Sequence, residues 1–199
     1  MKYFSKATEE ILSGVKESLG KIRADQVDRL VSDLLRARAT DKQVLVIGAG
    51  RTGLVGRSFA MRLMHLGYDA YVVGETITPP LGKGDILIAV SGSGSTALVV
   101  EAAKAAKKVG ARVAAITSFP NSRLAKLASV VVEVPGRTKV SRRTDYFSRQ
   151  ILGVHESLLP LGTLFETNCM IFLDGIVSEL MNILHLLEED VMRHHANIE

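Results

Sequence analysis

Two short segments of this chain carry the residue types that hold an anion. The first is Gly48-Ala49-Gly50-Arg51-Thr52-Gly53, which follows the apolar run Val44–Ile47. The second is Ser91-Gly92-Ser93-Gly94-Ser95-Thr96, which follows Ile86–Val90 and leads into ALVVEAAKAAKKVG. An apolar run, a glycine turn and then a helical pattern places backbone N–H groups at a helix start, where the helix dipole favours negative charge. Glycine lets the backbone come close to a ligand, and serine and threonine hydroxyls add donors. A helix cap needs one hydroxyl, yet the second segment has four, so the spacing points to a bound phosphate monoester. The candidate ligand contacts are Gly50, Arg51 and Thr52 in the first loop and Ser91, Ser93, Ser95 and Thr96 in the second.

The first loop also fits G-x-G-x-x-G, a dinucleotide fingerprint, and Glu75 stands about where an acid would meet a ribose. Two features weigh against that reading. The chain has 199 residues, too few to add a separate catalytic domain of usual size. The second anion loop lets one small phosphorylated ligand touch both segments.

A third segment carries a group suited to acid–base chemistry. Glu166 lies in PLGTLFETNCMIFLDGIVSELM, a largely apolar helical segment. Its neighbours at helical spacing are Gly162, Thr163, Cys169 and Met170, and none can form a salt bridge with it. An uncompensated carboxylate on such a helix is expected to have a raised pKa if buried, which suits a general base. Alternatively it only complements the helix dipole. Of five histidines, His194 and His195 stand in the terminal RHHANIE, where chain ends ordinarily fray. His65 and His185 lie in apolar helical segments and read as structural, and His155 falls in a long polar stretch.

Short Val/Ile-rich runs at 44–48, 70–74, 86–90, 113–117 and 130–134 read as strands. Helical patterns cover about 5–38, 54–66, 96–109 and 122–127, and a long helix runs from Pro160 to about Leu187, with Pro160 in its first turn. Apolar runs alternating with helices mean parallel strands buried on both faces, so the expectation is a five-stranded, doubly wound α/β sheet. The whole chain reads as one domain, with an N-terminal helical segment over 1–39 and a C-terminal helix plus tail over 160–199. The segment from about 136 to 157 is basic (Arg137, Lys139, Arg142, Arg143, Arg149) and could cover the site. The long C-terminal helix is apolar nearly all round, so part of it is expected to meet another subunit.

The totals narrow the classes. Net charge is +4 and the pI is near 9.3, which suits an anionic ligand but is too mild to imply nucleic acid. Four Tyr, six Phe and no Trp leave few platforms for stacking bases. The single cysteine, Cys169, excludes an intramolecular disulfide and a thiolate metal cluster and matches a reducing, cytoplasmic setting. The charged N-terminus lacks a signal core, and no apolar run approaches a membrane span.

The two loops together resemble the sugar isomerase (SIS) domain family, whose phosphate loop has the S-x-S-G-x-T spacing seen at Ser91, Ser93, Gly94 and Thr96. Further stretches resemble its 6-phospho-3-hexuloisomerase branch: GRTGLVGRSFAMRLMHLGYDAYVVGE, TPPLGKGD, PLGTLFE, IFLDGIVSELM and the terminal RHHANIE. Thr52 stands where many relatives have serine. The resemblance implies a three-layer α/β sandwich with a five-stranded parallel sheet in flavodoxin-like order. It implies interconversion of D-arabino-hex-3-ulose 6-phosphate and D-fructose 6-phosphate through a cis-enediol(ate), in formaldehyde fixation by the ribulose monophosphate pathway or in pentose phosphate supply. It implies no cofactor and no metal, a tetramer with shared active sites, and a functional pairing with a hexulose-phosphate synthase. It gives Glu166 the role of base and aligns His195 with the family histidine, His194 being the competitor. Two other outcomes stay open: an aldose–ketose isomerase on the same fold, and a sugar-phosphate-binding module without catalysis.

Overall fold

The structure, a computed structural model, describes residues 2–136, 160 and 162–195. Two helices come first, α1 (Lys2–Leu19) and α2 (Ala24–Ala39). The helical pattern over 5–38 is therefore interrupted, at 20–23. Of the two glycines in that stretch, only Gly20 marks the break. Gly14 stays helical, and the side chain of Leu164 packs against it.

Five strands follow: β1 (Val44–Gly48), β2 (Ala70–Val72), β3 (Ile86–Val90), β4 (Arg112–Thr117) and β5 (Val130–Glu133). Between and after them lie α3 (Arg51–His65), α4 (Ala97–Lys108), α5 (Thr163–Ile183) and the short α6 (Glu188–Met192). The sheet order is β2-β1-β3-β4-β5, and every pairing is parallel. All five residues of the central β3 are buried, whereas the edge strand β2 is half-buried. Buried Val and Ile on both faces is the pattern that helix layers on each side require.

The two layers are unequal. One face packs Leu30 and Leu34 of α2, Phe59 and Leu63 of α3, and Phe165 and Leu173 of α5 over the sheet. The other is covered by Val99, Val100, Ala103 and Ala106 of α4 together with Leu124. The helix expected over 122–127 is only a 3-10 turn at Ala125–Leu127. The sandwich of three layers and the strand order agree with the sequence reading.

α5 is shorter than its apolar pattern. Pro160 lies outside it, where its carbonyl accepts the Thr163 N–H at 3.2 Å, and Gly162 is the N-cap. At the other end His185 takes a left-handed conformation (φ 53) and Leu186 N–H returns to Met181 O at 3.0 Å. That is a Schellman closure, so His185 is an exposed helix terminator rather than a helical residue. No described helix is long and apolar enough to cross a membrane.

Candidate active site

The strand order reverses between β1 and β3: β1 leads through α3 to one edge of the sheet, and β3 leads through α4 the other way. Ligands of open α/β sheets bind at the carboxyl ends of strands at such a switch point. Both glycine loops end there. β1 turns into α3 with no spacer beyond Ala49 and Gly50, because Gly48 permits close approach. A Cβ on Gly48 would sit 2.7 Å from Thr52 O and 2.9 Å from Gly53 N, both backbone atoms that cannot give way.

The two loops form a cleft of about 380 Å³ lined by Gly50, Arg51 and Thr52, by Ser91, Gly92, Ser93 and Thr96, and by Phe165 and Glu166 of α5. Thr96 occupies the N-cap position of α4, yet its side chain makes no capping hydrogen bond. Its Oγ1 instead lies 2.9 Å from Ser91 Oγ. The α3 N-cap, Gly50, has no side chain to cap with. Neither helix start carries a side-chain cap, which leaves first-turn N–H groups that an anion in the cleft could satisfy. The ordinary-cap alternative for the second loop fails on this geometry.

Not every candidate is brought in. Ser95 is exposed and outside the cleft lining; its Oγ donates back to Ser93 O at 3.3 Å. Thr52 lines the cleft, but its hydroxyl donates to Ala49 O at 2.7 Å and accepts from Ala49 N–H at 3.3 Å, so it holds the loop's shape.

Glu166 enters from the first turn of α5, with its side chain 14% exposed. The expectation of an uncompensated carboxylate is corrected here. Arg51 Nε lies 2.8 Å from Glu166 Oε2, so the partner comes from the other glycine loop rather than from its own helix. The contact is an ion pair without hydrogen-bond alignment, and Oε2, although buried, has no hydrogen-bond partner among the described residues. The Arg51 guanidinium is thus the charge that Oε2 faces, and the carboxylate as a whole lines the cleft. One turn further on, Cys169 is fully buried; burial pushes its thiol well above the ordinary range, and the Glu166 charge adds to the effect.

His195 lies elsewhere. Its ring stacks on that of His65, with centroids 3.9 Å apart. His65 closes the last turn of α3 and Arg51 opens the first, so about 20 Å of helix separates the stack from the cleft. Within one chain, Glu166 and His195 do not meet. His194 is exposed and lies 3.2 Å from Asp190 O through Nδ1. Glu75, the ribose candidate of the dinucleotide reading, is paired with Arg57 and is not part of the cleft. The basic segment and His155 fall outside the described residues. Sequence reasoning missed Phe165 and Gly162 as lining residues; the glycine directly before the apolar helix was the available signal. Among the described residues, no group of three or more His, Cys, Asp or Glu gathers to hold a metal ion.

Comparison with known proteins identifies the family. The SIS domain model matches residues 39–152. An uncharacterized protein of Aeropyrum pernix is 54% identical over 194 residues, covering 98% of this chain and 92% of that one. The 3-hexulose-6-phosphate isomerase of Bacillus subtilis is 38% identical over 190 residues, 96% of each chain. Among solved structures, a Methanococcus jannaschii protein for which a molecular function of 3-hexulose-6-phosphate isomerase was inferred superposes with a TM-score of 0.78 at 32% identity over the full length of both chains. On the match to more than half its length and on these relatives, the chain belongs to the SIS domain family.

Proposed function

We propose that this chain is a 3-hexulose-6-phosphate isomerase, a ketose-phosphate isomerase that interconverts D-arabino-hex-3-ulose 6-phosphate and D-fructose 6-phosphate. The observation that carries the reading is a single cleft that joins an uncapped hydroxyl-rich loop to a largely buried carboxylate, Glu166, paired with Arg51. The named relatives support the same reaction.

The chemistry follows from what the residues can do. The second loop, with Ser91, Ser93 and Thr96 and the α4 N-terminus, holds the phosphate. Glu166 removes the C2 proton, and the electron pair forms a C2–C3 double bond while negative charge collects on O3. The Arg51 guanidinium beside the carboxylate offsets that charge. One proton passes between O3 and O2, and protonated Glu166 returns its proton to C3, giving the 2-ketose. No atom is gained or lost.

The O2/O3 proton transfer is the role for His195. The position of this residue against His65 supports a site completed by a second subunit. The outer face of α5, where Ile171 is 43% exposed, and the exposed Tyr3, Phe4 and Leu12 of α1 support an oligomer, for which the family expectation is a tetramer. The same proposal includes a cytoplasmic setting and a functional pairing with a hexulose-phosphate synthase, in formaldehyde fixation or in pentose phosphate supply.

NMR of fructose 6-phosphate incubated with the protein in heavy water tests the reading. Deuterium at C3 together with a new 3-ketose is the expected result. Deuterium at C1 would instead identify an aldose–ketose isomerase. Tight binding with neither exchange nor product would leave a sugar-phosphate-binding module and refute catalysis.

A further inference from the structure

A second cavity of about 320 Å³ adjoins the cleft, lined by Arg51, Leu54, Val55, Glu166, Thr167 and Met170. Arg51 and Glu166 line both spaces, so the two meet at this ion pair. One side carries the hydroxyl loop. The other carries three apolar side chains and one hydroxyl.

We infer that this second chamber receives the end of the substrate remote from the phosphate, the C1 hydroxymethyl group, and sets specificity for it. The inference rests on the isomerase reading, and chain order then leads to it. The phosphate on C6 lies in the serine loop and the reacting C2–C3 bond lies at Glu166. C1 is the next atom along, and in an extended chain it passes to the far side of Glu166. The chamber offers a fitting environment there. Leu54, Val55 and Met170 bound the carbon. Thr167 Oγ1 donates to Thr163 O at 2.8 Å, which leaves its oxygen to accept from a C1 hydroxyl. Arg51 has further N–H donors beyond Nε for the hydroxyl oxygen. A site that hydrogen-bonds a substrate hydroxyl rejects the analogue lacking it far more strongly than a purely apolar pocket would.

Two variants test this. Leu54 is 65% exposed, so Leu54→Trp fills the chamber without cost to the core. Thr167→Val removes the acceptor and keeps the shape. In wild-type protein, kcat/KM for fructose 6-phosphate should exceed that for 1-deoxyfructose 6-phosphate, and Thr167→Val should shrink the ratio by about tenfold or more. Leu54→Trp should raise KM for fructose 6-phosphate by a similar factor, roughly tenfold, while inhibition by inorganic phosphate, which needs only the serine loop, stays unchanged. A wild-type ratio near one, a ratio untouched by Thr167→Val, or wild-type kinetics in Leu54→Trp would overturn the chamber assignment while leaving the isomerase intact. A wild-type protein that neither exchanges the C3 proton nor forms a 3-ketose would overturn the functional reading, and the chamber with it.

Discussion

Replacing Glu166 by Gln separates chemistry from stability. The substitution keeps the side chain's size and removes its charge and its basicity. A positioned general base typically contributes about 10²–10⁴ in rate. At about 1.4 kcal/mol per tenfold, that is roughly 3–5 kcal/mol of barrier. The structural loss is much smaller. The variant gives up one ion pair, and its Arg51 side is 60% exposed. Such a pair is worth about 1 kcal/mol or less, which corresponds to a melting shift of at most about 2–4 °C in a chain of this size. The kinetic effect should therefore dominate. The assay is turnover of fructose 6-phosphate to the 3-ketose by NMR, with inorganic phosphate as a competitive inhibitor and thermal melting as a control. Turnover should fall by two to four decades while phosphate inhibition and melting stay near wild type. A variant that keeps more than about a tenth of wild-type turnover would remove Glu166 from the role of base. Lost activity with an equal loss of phosphate inhibition would show a damaged cleft rather than a missing base.

Mixing Glu166→Gln and His195→Ala subunits should restore activity that neither variant has alone, if the histidine serves a neighbour's cleft; no regained turnover after subunit exchange rules out the shared site. Gly94→Ala forces a Cβ onto the Ser122 side chain at a left-handed position (φ 59), so melting should fall by several degrees, about 1–2 kcal/mol coming from the backbone alone, and Ser122→Gly should return part of the loss. The Cys169 thiol, held protonated by burial, should resist a water-soluble thiol reagent at mildly alkaline pH in the folded protein and react promptly in denaturant; rapid labelling of native protein would contradict its burial. Burial raises the Tyr68 phenol from 10.0 to about 12, so the folded state keeps a proton that the unfolded chain loses first. Stability should therefore decline as pH rises through that window, and Tyr68→Phe should flatten the decline; an unchanged slope would assign it to other groups.

The strands were the most legible part of the fold. VLVIG and ILIAV occupy β1 and β3 with the bounds that the Val/Ile runs suggest, because buried parallel strands leave a continuous apolar signature. Helix ends were less legible. Apolar periodicity carries on through Leu186 and Leu187, but α5 stops when His185 adopts a left-handed turn, a backbone event that composition does not announce. The same holds for 122–127, where a helical pattern condenses into a single tight turn between β4 and β5.

For the site, the sequence by itself determined the inventory. It supplied a serine-rich loop after one strand, a glycine-rich loop after another and a carboxylate in an apolar helix, since clusters of hydroxyls and glycines are local features. Tertiary structure decided which of these groups act together. It turned Ser95 out of the cleft, spent the Thr52 hydroxyl on its own loop, and set His195 against His65 at the far end of α3. Above all it gave Glu166 a partner in Arg51. A helix shows its sequence neighbours three and four residues away, but the charge that faces a buried carboxylate comes from whichever loop the packing of α3 against α5 brings alongside, and that proximity exists only in the folded chain.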